Sequence, residues 1–267
     1  MNNRKDKLEA LGKLLDIMDE LRIKCPWDRE QTFESIRNNT IEETYELADA
    51  ILKGDMEHTK KELGDLLLHI VFYAKMGSET GHFDIKDVAD SISEKLIFRH
   101  PHVFGDIDVK NNPETVKKNW EELKIKEGNH SVLGGVPSSL PSLIKANRIQ
   151  EKARAVGFDW DERSQVWDKV EEELQELKVE IEKMDKGKME NEFGDLFFSL
   201  VNAARLYGID PETALERTNR KFISRFSYLE NETLKKGRNL RNMTLDEMNV
   251  IWEQAKESDK GQGTRDK

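Results

Sequence analysis

The chain is poor in the residues that staple or interrupt a fold. Its 267 residues include one cysteine, six prolines and sixteen glycines. A lone thiol, Cys25, excludes an intrachain disulfide and suits a reducing, cytoplasmic compartment. Cys25 also has no activating neighbour in sequence, which argues against thiol catalysis. The longest strongly apolar run, residues 66–74, falls well short of the roughly 20 residues a membrane span needs. The opening MetAsnAsnArgLysAspLysLeuGlu lacks the apolar core of a signal peptide. Positive charge is the scarcer sign: 43 Lys and Arg face 53 Asp and Glu, a net charge of −10. That balance disfavours extended nucleic-acid or anionic-membrane contact, although a local basic patch can still hold one polyanion.

Glu, Lys and Leu are abundant, and no segment alternates as a strand does. The expected fold is therefore all-α. The length allows two domains of ordinary size. Apolar spacing predicts helices over about 4–22, 30–52, 57–77 and 84–99, with a fifth after AsnAsnPro at 111–113. CysProTrpAsp at 25–28 breaks the first from the second, with Asp28 or Thr32 as the next cap. Further helices are expected at about 142–156, 163–183 and 188–207, then after Asp210 and after Thr244, where Glu247 completes a capping box. GlyAsnHisSerValLeuGlyGlyValProSerSerLeuPro at 128–141 is the segment richest in turn formers and reads as a linker. The expected division is a domain over 1–127, this linker, a domain over 142–258 and a frayed tail over 259–267.

The second half repeats the first. Glu42, Glu43, Glu46, Glu62 and Asp65 recur 130 residues later as Glu172, Glu173, Glu176, Glu192 and Asp195, each set followed by an apolar run. LysLeuIlePheArg at 95–99 and AsnTrpGluGluLeuLys at 119–124 are echoed by LysPheIleSerArg at 221–225 and IleTrpGluGlnAlaLys at 251–256. The spacing has a geometric meaning. Glu43 and Glu46 share a helix face, as do Glu62 and Asp65. Both pairs are centred on residue 54, beside LysGlyAsp at 53–55, and in an antiparallel hairpin residues equidistant from the turn lie at one height. The second set is centred on 184, next to AspLysGly at 185–187. Each hairpin then presents four carboxylates at two levels roughly 5 Å apart. Like charges so close repel unless a cation lies among them.

A Glu-rich helix is usually only a solvated face, but that does not account for mirrored spacing that occurs twice. An all-oxygen donor set suits Mg²⁺ or Mn²⁺. A ferritin-like di-iron site would need Glu-x-x-His on its helices, and neither hairpin has one. Carboxylate-bound magnesium commonly engages phosphates, which also need cationic partners. Lys95 and Arg99, and likewise Lys221 and Arg225, are four residues apart. Lys169 and Lys188 flank the second acid set, where the first has Asn39 and His58. Trp27, Trp120, Trp160 and Trp252 are aromatic faces for a base or, equally, parts of a core.

These motifs carry a family resemblance. CysProTrpAspArgGluGlnThrPhe at 25–33, ThrIleGluGluThrTyrGlu at 40–46, GluLeuGlyAspLeuLeu at 62–67 and ArgHisProHisValPhe at 99–104 resemble the MazG family of nucleoside triphosphate pyrophosphohydrolases. So do ValGlyPheAspTrp at 156–160, GluGluLeuGlnGlu at 172–176 and GluPheGlyAspLeuPhePhe at 192–198. The resemblance covers nearly the whole chain as a tandem form. It implies an all-α homodimer that uses Mg²⁺ to hydrolyse NTPs to NMP and diphosphate. Carried over by position, the metal ligands are Glu173, Glu176, Glu192 and Asp195, with Glu43, Glu46, Glu62 and Asp65 as the first-half set. Lys169, Lys188, Lys221, Arg225 and Trp252 match nucleotide-contacting positions. Lys95 and Arg99 are candidate phosphate contacts of the first half, and Glu172 and Glu173 are the candidate catalytic pair. Two other readings predict different behaviour: a regulatory module binds nucleotide or protein without turnover, and a bare helical scaffold gains no stability from metal.

Overall fold

The computed structural model describes residues 2–105, Val116 and 131–262, and these contain helices and turns but no strand. The chain divides into two compact units, Met1–Asn111 and Asn112–Lys267. The expected fifth helix after Pro113, Trp120 and the boundary near 127 lie outside the described residues. No described helix is long and apolar enough to cross a membrane.

In the first unit, α1 (Arg4–Lys24) starts from a reciprocal cap between Asn3 and Asp6. The CysProTrpAsp segment is more than a break. Pro26 sits in the first turn of a short helix, α2 (Pro26–Glu30), and Thr32, not Asp28, caps α3 (Phe33–Lys53) together with Ser35. Gly54 closes α3 in left-handed backbone and Asp55 caps α4 (Met56–Glu79). α3 and α4 thus form the first acidic hairpin. α5 (Ile85–Arg99) is capped by Asp84, and Pro101 opens the short α6 (Pro101–Phe104). Met18 of α1, Ile36 of α3 and Val71, Phe72 and Met76 of α4 form the core.

The second unit begins, among described residues, with turns over 131–141. The buried ammonium of Lys152 donates to the Val132 carbonyl at 3.1 Å and so ties them to α7 (Ser142–Ala155). The second hairpin follows as α8 (Gln165–Lys183) and α9 (Lys186–Leu206). Its turn is Met184 and Asp185, with Asp185 as the cap, so Lys186 and Gly187 already belong to α9. Asp210 caps α10 (Pro211–Lys235), a one-turn 3-10 helix spans Leu240–Asn242, and α11 (Leu245–Gln262) begins with the Thr244–Glu247 box. Val166, Val170 and Ala203 form one buried cluster between α8 and α9; Leu229, Met243 and Ile251 form another between α10 and α11.

Candidate active site in the second acidic hairpin

Antiparallel pairing of α8 and α9 brings the expected acids together. Glu173 and Glu176 on α8 and Glu192 on α9 each offer an oxygen within 4.8 Å of the others. Glu173 is 6% exposed, an unfavourable place for an ion unless it is paired. The Lys169 ammonium pairs with it, 2.7 Å from Glu173 Oε1 and 2.9 Å from Glu172 Oε1. Those bonds hold the lysine well above its ordinary pKa. The Glu192 carboxyl is pushed up by burial, and then by the charges of Glu176, Asp195, Glu173 and Glu180. Crowding of this kind is relieved by a proton or a metal ion. Asp195 is outside the three converging oxygens but lines the same cavity as Glu173 and Lys169.

That cavity, of about 720 Å³, has Phe158, Trp160, Ile149 and Ala153 among its apolar walls and Gln150, Ser199 and Asn202 among its polar groups. Asp159 and Arg205 brace it. Both guanidinium Nη atoms donate to the carboxylate, Nη1 at 3.1 Å, and the Arg205 side chain is 7% exposed. The other expected nucleotide contacts stand elsewhere. Lys188 lies in the first turn of α9, 3.9 Å from Asp185. Lys221 and Arg225 are one turn apart on α10, and the Trp252 ring packs 5.1 Å from that of Phe222. None of these four lines the cavity. Lys95 and Arg99 are likewise one turn apart, on α5.

The first hairpin also gathers its acids, but differently. Glu62 is 0% exposed; its Oε1 receives the Lys61 ammonium at 2.9 Å and lies 2.8 Å from His58 Nε2. Its Oε2 has no partner among the described residues, the situation a cation would relieve. Glu62 is shared by two triads of candidate ligands, one with Glu43 and Asp65 and one with Glu46 and His58. Burial first, then Glu62, Asp65 and Glu46, push the Glu43 carboxyl up. His58, noted in sequence only as a departure from Lys188, therefore joins the acid cluster.

The two halves differ most behind the acids. Phe72 and Tyr73 of α4 correspond, 130 residues on, to Asn202 and Ala203 of α9. Phe72 is buried in the first core, and Tyr73 stacks on Phe33 at 5.5 Å with its hydroxyl 2.9 Å from that of Thr40. Two rings thus fill the first half where the second has the amide of Asn202, which lines the cavity, and the methyl of Ala203, which packs with Val166 and Val170. No repeat or charge pattern marks Gln150, Asn202 or Arg205, and Asp159, though part of the ValGlyPheAspTrp motif, meets Arg205 across 46 residues of sequence. A comparison of aligned residue volumes would have flagged Asn202.

A chain that is helical, without strands, over its described residues, with two hairpins whose carboxylates could hold a divalent cation, fits a hydrolase of phosphoric anhydrides. The family model described as the MazG nucleotide pyrophosphohydrolase domain matches residues 31–104 and again 163–229, and the chain belongs to that family. It is 43% identical over 258 residues to a nucleoside triphosphate pyrophosphohydrolase of Escherichia coli (strain K12), covering 93% of this chain and 98% of the relative. It is 44% identical over 252 residues to the nucleoside triphosphate pyrophosphohydrolase/pyrophosphatase MazG of Thermotoga maritima, covering 92% and 96%.

Proposed function

We infer that the chain is a nucleoside triphosphate pyrophosphohydrolase, releasing NMP and diphosphate, and that the second hairpin is its working site. The observation that carries this is the convergence of Glu173, Glu176 and Glu192 beneath Lys169, beside a cavity large enough for a nucleoside. The names of the two full-length relatives point to the same reaction.

Glu173, Glu176, Glu192 and Asp195 would hold Mg²⁺, or Mn²⁺ in its place, because all their donor atoms are oxygen. When bound, such an ion neutralises phosphate charge and acidifies water. Lys169 then exchanges its carboxylate partners for a phosphate oxygen, and Lys188, Lys221 and Arg225 neutralise the rest of the triphosphate. Trp252 contacts the nucleotide, as the family resemblance implies. Glu172, which shares the Lys169 ammonium with Glu173, is the candidate to accept the proton of the attacking water.

Glu43, Glu46, Glu62 and Asp65 form a second metal site, with Lys95 and Arg99 as its phosphate contacts. It contributes less, since Phe72 and Tyr73 put two rings where the second half has Asn202 and Ala203. The enzyme is a cytoplasmic homodimer on this reading. Phe193, Phe197 and Leu200 form an exposed apolar stripe along α9, and Leu63 and Ile70 stand at the matching places on α4. Such stripes are buried when hairpins pair into four-helix bundles.

The decisive experiment is separation of the products from an α-labelled NTP with Mg²⁺. NMP with diphosphate is expected, and NDP with orthophosphate would overturn the assignment.

A further inference from the structure

We propose that His58 makes the first acidic hairpin a mixed nitrogen–oxygen site, in which Glu46, His58 and Glu62 hold a transition-metal dication of the Zn²⁺ class in preference to Mg²⁺. The proposal rests on the reading of that hairpin as a second metal site and deepens it: an imidazole joins the carboxylates and sets which ion they take.

The three donors come from both arms of the hairpin. Glu46 is on α3, while His58 and Glu62 are four residues apart on α4 and so share one face of that helix. One donor atom from each lies within 4.8 Å of the others. His58 Nε2 and Glu62 Oε1 are already 2.8 Å apart. Two neighbouring donors on one ion, each at about 2.1 Å from it, stand roughly 3 Å from each other, so this pair needs little movement to share a metal. Burial rises from the exposed Glu46 through His58 to Glu62, which leaves a way in from solvent.

Glu62 is the group that calls for an ion. It is 0% exposed, and its Oε1 is served by His58 and by the Lys61 ammonium at 2.9 Å. Its Oε2 is buried as well and has no hydrogen-bond partner among the described residues. Both oxygens sit on one carbon, so the bare one belongs to the same cluster. A buried carboxylate with one oxygen unserved is poorly compensated. Lys61, whose side chain is 66% exposed, can withdraw into water as a dication takes its place.

The imidazole decides which dication. Mg²⁺ takes oxygen donors and gives up its waters reluctantly, whereas imidazole suits Zn²⁺ and its transition-metal neighbours. Three protein donors with water in the fourth position is an arrangement Zn²⁺ accepts. The second half cannot build this site, because Lys188 stands 130 residues on from His58 and an ammonium has no lone pair to give. One position thus supplies a ligand in one hairpin and a positive charge in the other.

The test is calorimetric titration of the full chain with ZnCl₂ and, separately, MgCl₂, repeated on His58→Ala, Glu62→Gln and Glu173→Ala. His58→Ala should weaken one Zn²⁺ site at least about tenfold while Mg²⁺ affinities change by less than about threefold. Glu173→Ala should leave that Zn²⁺ site in place. Co²⁺, as a stand-in for Zn²⁺, should give the Glu173→Ala chain a paramagnetically shifted imidazole N–H resonance that His58→Ala removes. Zn²⁺ binding untouched by His58→Ala, equal losses for the two ions, or no shifted imidazole signal would overturn the proposal. If Glu62→Gln removes a site and His58→Ala does not, the carboxylates bind metal without the imidazole, and only the present proposal fails. If neither variant changes any titration, the reading of the first hairpin as a metal site fails with it. Should Glu62→Gln not fold, His58→Ala decides alone, since His58 is partly exposed in the first turn of α4.

Discussion

Met184 holds in the second hairpin the place that Gly54 holds in the first, and both have left-handed backbone, φ 57° and φ 69°. Each is followed by an aspartate whose side chain caps the next helix, Asp185 or Asp55. Only glycine takes this conformation without crowding its own Cβ. Met184 is also 77% exposed, so its side chain gains little there to offset the strain. Met184→Gly should stabilise the protein by about 1 kcal/mol, and Gly54→Ala should cost about as much. Denaturant titration checks both; a destabilised Met184→Gly variant would show that the methionine side chain is needed.

Asp159 gives the clearest acid-sensitive contact. Its burial alone would raise the carboxyl, but hydrogen bonds from Arg205 and the Trp160 N–H, with the charges of Arg205 and Arg154, bring it below its ordinary value of 3.8. A group depressed on folding adds stability above its unfolded pKa and loses it as pH falls through the folded one. Asp159→Asn should therefore cost about 2 kcal/mol at pH 7. The gap between variant and parent should close as pH drops below 3.8. A gap that stays constant to the lowest pH at which both fold would contradict this origin.

The acid sets should separate by function. Glu173→Ala or Asp195→Ala should lower NTP turnover by at least about 100-fold, with helicity retained. Glu43→Ala should lower it much less. A Mn²⁺ titration followed by electron paramagnetic resonance should show sites lost from each hairpin independently. Near-normal turnover in both second-hairpin variants would remove that hairpin from the chemistry.

How far residues alone reach can be judged at particular positions. The acid hairpins were legible because helical geometry turns spacing into height, and Glu173, Glu176 and Glu192 converge as the mirrored spacing predicts. The Thr244–Glu247 box was legible because its partners are three residues apart. The turn at 184–185 was not, because glycine at 187 drew the expectation away from a methionine with positive φ. The cavity was invisible for a different reason. It lies where Asn202 replaces a ring, and depends on contacts such as Gln150 with Phe198, 48 residues apart in sequence. Periodicity reports which face a residue occupies and says nothing of whether its neighbours are large enough to close the space.

That difference between the halves supplies its own test. Asn202→Phe would restore in α9 the residue that α4 carries as Phe72. The cavity of about 720 Å³ has room for a ring, and its apolar walls should accept one. The substitution also removes the Asn202 bonds to Arg205, but Asp159 still holds that guanidinium. Loss and gain should nearly cancel, leaving stability within about 1 kcal/mol of the parent. Substrate should fare otherwise, because the ring occupies the volume assigned to the nucleoside. An increase in KM of about tenfold or more is expected, with hydrolysis of inorganic tripolyphosphate, if the enzyme accepts it, little changed. If Asn202→Phe binds NTPs as the parent does, the nucleoside lies elsewhere, and the tilted ring pair of Trp252 and Phe222 becomes the next place to look.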